Sequence, residues 1–142
     1  MTAKAPEDTD TPIVKEWNWT RHDKCAWLSR CQLRKQLDTW EVSEFEDTAV
    51  LLFSELFTNA LRNSPRGREI QTRFMLYPDR LRIEVADTSE KMPQPRTAGE
   101  DEESGRGLIL VEALSDKWGV ELRSREGQYA PGKTVWFELC RA

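Results

Sequence analysis

Ser104-Gly105-Arg106-Gly107-Leu108 stands directly before an apolar helical run. Two glycines let backbone N–H groups come close to a ligand, and a helix N-terminus carries partial positive charge, so the chemistry offered is phosphate binding. The stretch is not the G-x-x-x-x-G-K-[ST] loop. SELFTNALRN sets Glu55, Asn59 and Arg62 at spacings of four and three, on one flank of a helix. Asn59 falls near the edge of the apolar stripe and Asn63 nearer its centre, and a buried amide needs a partner. Asp87 continues the inward face Leu81, Ile83, Val85 to the end of a strand. A carboxylate there is costly unless something pairs with it. Gly132-Lys133-Thr134 enters the last strand. Alternation sets Thr134 opposite Val135, Phe137 and Leu139 and leaves open which face meets a ligand. Each feature also has a plainer use: a helix cap, a solvated flank, a strand-ending Asp, a turn.

The elements that must position these residues follow from periodicity. Residues 1–12 read as a flexible tail rich in acids and threonines. IVKEWNW, 13–19, favours a strand with Trp17, Trp19 and Ile13 on one face. Asp23 is the expected N-cap of a helix to about Trp40, with Ala26, Leu33, Leu37 and Trp40 in one stripe. Ser43 and Glu46 have the form of a capping box. The helix they open runs to about Asn63, ended by Pro65 and Gly67, and buries Phe45, Ala49, Leu52, Phe53, Leu56 and Ala60.

A hairpin comes next. Ile70, Thr72, Phe74 and Leu76 alternate with polar residues, Tyr77-Pro78-Asp79-Arg80 turns, and Leu81, Ile83 and Val85 alternate back. Residues 88–104 break every period and read as a long functional loop. A short helix from Leu108 to about Lys117 and strands at about 118–124 and 133–140 finish the chain. The order β-α-α-β-β-loop-α-β-β predicts a two-layer α+β sandwich. Its helices lie on one face of a mixed, mostly antiparallel sheet.

Composition sets outer bounds. At 142 residues the chain is one domain. Hydrophobic residues at 38% suffice for one modest core, so wholesale disorder is excluded. Lys plus Arg is 21 and Asp plus Glu 25, a net charge of −4, which argues against a nucleic-acid binder. No apolar run reaches membrane-spanning length, and the polar, acidic start is not a secretory signal. Three cysteines, Cys25, Cys31 and Cys140, are an odd number with no zinc-site spacing, as expected of thiols in a reducing compartment. His22 is the single histidine, so no His-rich metal site forms.

Taken together, the acid-Asn helix, the strand ending in Asp, the loose loop, the Gly-rich helix start and the GKT strand resemble the histidine-kinase-like ATPase (GHKL) superfamily. The likeness is closest to its short free-standing members, the anti-sigma-factor serine kinases and related ATP-binding regulators of actinobacteria. SELFTNALRNS, SGRGLILVEALSDKWGV and GKTVWFEL carry it, over nearly all of the chain after residue 12.

The resemblance implies ATP and Mg²⁺ as cofactors. It makes Asn59 the Mg²⁺ ligand, Glu55 the general base and Asp87 the acceptor for the adenine amino group. Gly105, Arg106, Gly107 and Leu108 become the phosphate-contacting end of an ATP lid spanning 88–104, Thr134 a neighbour of the base and Arg62 a phosphate neighbour. It implies a cytoplasmic serine/threonine kinase acting on an anti-anti-sigma protein, holding a sigma factor, or both. A regulator that binds ATP without transferring phosphate is the other reading. Six tryptophans leave aromatic surface for a homodimer, and neither nucleic acid nor membrane is an expected partner.

Three departures stand out. Asp87-Thr88-Ser89 replaces the usual Asp-x-Gly, Glu100 to Glu103 put four acids in the lid, and Asn63 stands where short relatives often have His.

Overall fold

A computed structural model describes residues 11–64, 69–87, 102–123 and 132–141, with backbone alone for 102–107 and 123. Strand β1 (Ile13–Thr20) leads to helices α1 (Cys25–Thr39) and α2 (Glu46–Asn63). Strands β2 (Glu69–Leu76) and β3 (Arg80–Asp87) form the hairpin. Helix α3 (Glu102–Leu114) and strands β4 (Lys117–Arg123) and β5 (Gly132–Cys140) follow. The sheet order is β1-β2-β3-β5-β4. The expected α+β sandwich is present, but every strand pair described is antiparallel, so the sheet is not mixed.

The sheet's inner face and the helices share one core. Ile70, Phe74, Leu81, Ile83, Val85, Val135, Phe137 and Leu139 meet Leu33 and Leu37 of α1 and Leu52, Phe53, Leu56 and Phe57 of α2. Phe53 anchors the layers: its ring lies 5.6 Å from both Phe57 and Phe74. Trp17 stacks 5.0 Å from Phe74, and Trp19 meets Phe57 edge-on. Buried Thr72 is satisfied locally, accepting from Trp19 Nε1 at 2.9 Å and donating to the Trp17 carbonyl at 3.3 Å.

The helix stripes are as periodicity predicts, and the helix ends are not. Asp23 does not cap α1: the cap position is Lys24, whose N–H donates to Nδ1 of His22. Ser43 forms no capping box. Ser43–Phe45 is a 3₁₀ turn, and Phe45 precedes α2 without a side-chain cap. Packing supplies what the caps do not, because Val42 and Phe45 are buried under the turn.

The exit of α1 is better built. Val42 N–H bonds the Leu37 carbonyl and Glu41 N–H that of Asp38, both at 3.0 Å, with Glu41 at φ 59°. That pattern closes a helix and turns the chain toward α2. Helix α3 begins at Glu102 rather than Leu108 and ends at Leu114 rather than Lys117. Its first turn therefore takes in positions 102 and 103 of the acidic run. The expected tail (residues 1–10), the stop at Pro65 and Gly67, and lid residues 88–101 lie outside the described residues.

Candidate nucleotide site

Helix α2 carries the first part of the site. Glu55 and Asn59 are half-buried one turn apart, on the flank of the stripe that packs on β3, α1 and α3. Among the described residues neither side chain has a hydrogen-bond or ion-pair partner. A half-buried carboxylate and a half-buried amide oxygen are both hard oxygen donors. Among the described residues no cluster of three or more His, Cys, Asp or Glu could hold a metal. The Asn59 side-chain oxygen fits Mg²⁺, which commonly takes one or two protein oxygens and completes its shell with phosphate and water. Asn63 is turned to local use: its Nδ2 donates to the Asn59 carbonyl at 3.0 Å. Arg62 is exposed, and Arg21 bonds the Ser64 carbonyl at the same helix end at 2.8 Å.

The end of β3 carries the second part. Asp87 is 3% exposed on the inner face, beyond Val85. Its direct neighbour across the ladder is Lys133, 1% exposed. Lys133 Nζ lies 3.2 Å from Oδ1 and 3.0 Å from Oδ2, so one ammonium spans both oxygens. This pairing compensates a carboxylate that burial alone makes costly.

The resemblance sets Thr134 beside the base, on the strand that also carries Lys133. Thr134 pairs with Ala86 and Glu121 and alternates to the opposite face, while Lys133 takes the inner position next to Asp87. The same alternation, extended one residue back from Val135, marks Lys133 as inward in the sequence. Leu108 is buried in α3. Gly105, Arg106 and Gly107 lie inside that helix, and their side chains are outside the described residues. A separate groove between α1 and α2, lined by Arg30, Arg34, Asp47 and Leu51 among others, contains none of the expected site residues.

An acid-Asn helix packed on a strand that ends in a buried Asp is the arrangement the sequence resemblance requires. Residues 25–138 match the model of the histidine kinase-like ATPase domain. The chain belongs to that family. It is also 34% identical over 73 residues to an uncharacterised protein of Streptomyces coelicolor, a match covering 49% of this chain and 70% of the relative. Among the described residues of this ATPase-family chain, no helix is long and apolar enough to cross a membrane.

Proposed function

We propose that the chain is a cytoplasmic, Mg²⁺- and ATP-dependent serine/threonine kinase that phosphorylates an anti-anti-sigma protein and so regulates a sigma factor by partner switching. The observation that carries this reading is Glu55 and Asn59, half-buried and one turn apart on the helix that packs against β3. Glu55 takes the proton of an attacking hydroxyl at its carboxylate. Asn59 offers its side-chain oxygen to Mg²⁺. Asp87 accepts from the exocyclic amine of the base. The segment from Gly105 to Leu108, Arg106 within it, and Arg62 serve the phosphate end of the site, as the resemblance implies. Mg-ATP supplies the phosphoryl group, whose transfer needs positioning and charge compensation more than covalent chemistry from the protein. A binding-only regulator is the second reading, favoured by Ser89 where the family's Asp-x-Gly has glycine.

Radiolabelled phosphate transfer to candidate anti-anti-sigma proteins, measured beside ATP binding, tests the kinase. Glu55→Ala is expected to lower transfer by roughly 10²- to 10⁴-fold while leaving ATP binding in place. Transfer undiminished in Glu55→Ala removes the base assignment. A wild type that binds ATP and phosphorylates none of the partners favours the binding-only regulator.

A further inference from the structure

The groove between α1 and α2 is sorted by charge. Arg30 and Arg34 stand on its α1 wall, Glu46 and Asp47 on its α2 wall. It encloses about 380 Å³ and is open to solvent, so side chains of a neighbour can enter it. We infer that this groove is the contact face of a two-fold homodimer, in which the α1 wall of one copy meets the α2 wall of the other. Nothing in this contact depends on a nucleotide.

The charges are available. Among the described residues Arg30 and Asp47 have no hydrogen-bond or ion-pair partner. Arg34 Nε lies 3.8 Å from Glu46, and the two side chains are 48% and 38% exposed, so both charges stay open to a neighbour. A groove of one sign selects a partner of the other sign. A groove with one sign on each wall is complementary to a copy of itself that arrives with the walls exchanged. The short 40–45 connection makes α1 and α2 antiparallel neighbours, and Arg34 meets Glu46 beside it. A two-fold axis parallel to the helices exchanges the walls and keeps the levels. It brings Arg30 and Arg34 of one copy over Glu46 and Asp47 of the other. An axis across the helices would set arginine against arginine, which like-charge repulsion opposes.

Exposed ion pairs alone contribute little, so the face also needs apolar area. Trp27 supplies it on α1, at spacings of three and seven from Arg30 and Arg34 and hence on their side of the helix. It is 57% exposed, the one tryptophan among the exposed large apolar side chains described. Leu51, 41% exposed, supplies it on α2, one turn after Asp47. A tryptophan ringed by charged groups is the composition of an interface anchor.

Analytical ultracentrifugation of the full chain is expected to show a monomer–dimer equilibrium. The double variants Arg30→Glu with Arg34→Glu, and Glu46→Lys with Asp47→Lys, each set like charges face to face. Each is expected to weaken the dimer by about a hundredfold or more. Mixed in equal amounts, the two variants are expected to pair within about tenfold of wild-type strength, because both contacts of the mixed dimer again join opposite signs. A wild type still monomeric at millimolar concentration overturns the inference and leaves the groove to a different protein. A dimer undiminished in both variants, or variants that do not pair on mixing, overturns it as well. Circular dichroism checks that each variant folds. If either does not, Trp27→Ser takes its place, at an exposed position where substitution costs the fold little. A dimer weakened about tenfold or more by Trp27→Ser supports the face, and an undiminished one overturns it.

Discussion

The two faces of the sheet handle charge in opposite ways. On the outer face, charges form a chain. Glu16 meets Arg73 at 2.8 Å, Arg73 meets Glu84 at 3.3 Å, and Arg82 bridges Glu84 at 2.8 Å and Glu138 at 3.1 Å. Arg80 adds a second contact to Glu138 at 3.3 Å. Arg82 also stacks 3.9 Å from the Trp136 ring, which covers Gly119. On the inner face, among the described residues, an apolar layer runs to the end of β3 and β5 and meets the Asp87–Lys133 ion pair there. The outer chain is redundant, since Glu84 and Glu138 each have two arginines. That redundancy keeps two carboxylates paired that are only 8% and 5% exposed. A fully buried pair offers much less net stability for its desolvation cost. The inner pair lies on the helix-covered face, at the sheet end where the proposed function sets the base.

The outer arginines are held strongly. Burial alone would lower the guanidinium pKa of Arg82, but hydrogen bonds to Glu84 and Glu138 outweigh it and raise the pKa above the ordinary value. Arg80 is raised in the same way by Asp79 and Glu138 against burial. A cation raised on folding contributes stability that is complete below its unfolded pKa and is lost only as pH climbs through the folded one. Arg80 and Arg82 therefore keep their charge throughout the neutral and moderately alkaline range.

Substitutions can break this contrast. The largest effect is expected at the inner pair: Lys133→Met removes the ammonium that spans both Asp87 oxygens, costing about 3–5 kcal/mol in urea unfolding. Gly119→Ala comes next. Its new Cβ would sit 2.8 Å from the Trp136 ring and must displace it from Arg82, costing about 1–3 kcal/mol. Arg82→Met is expected to cost about 1 kcal/mol, less in high salt, since Arg73 and Arg80 still serve its partners. Glu16→Ala, at the exposed edge, should stay within about 0.5 kcal/mol. If Arg82→Met costs as much as Lys133→Met, the two faces do not differ in kind.

The layers were legible in the sequence because burial imposes a period. The α2 stripe from Phe45 to Ala60 and the alternation in β2 and β3 have buried counterparts at nearly every position. Leu76 and Trp40 are only half-buried, because they sit at the ends of their elements, where the opposing layer stops. Helix caps were not legible. Ser43 and Asp23 are common capping residues, but at α1 and α2 tertiary packing and a 3₁₀ turn fix the start. The start of α3 was hidden by its glycines and acids, which resemble loop composition. The helical spacing of Glu55 and Asn59 was legible, and both are half-buried on α2. On β5 the resemblance named Thr134, and alternation one step back from Val135 also sets Lys133 beside Asp87.

Titration calorimetry with Mg-ATP on wild type and Asp87→Asn tests most directly whether the inner sheet end is a nucleotide site. Circular dichroism of both proteins checks that each is folded. Binding by the wild type that Asp87→Asn abolishes is the predicted result. No heat from a folded wild type at millimolar nucleotide, or equal binding by the two proteins, would contradict it.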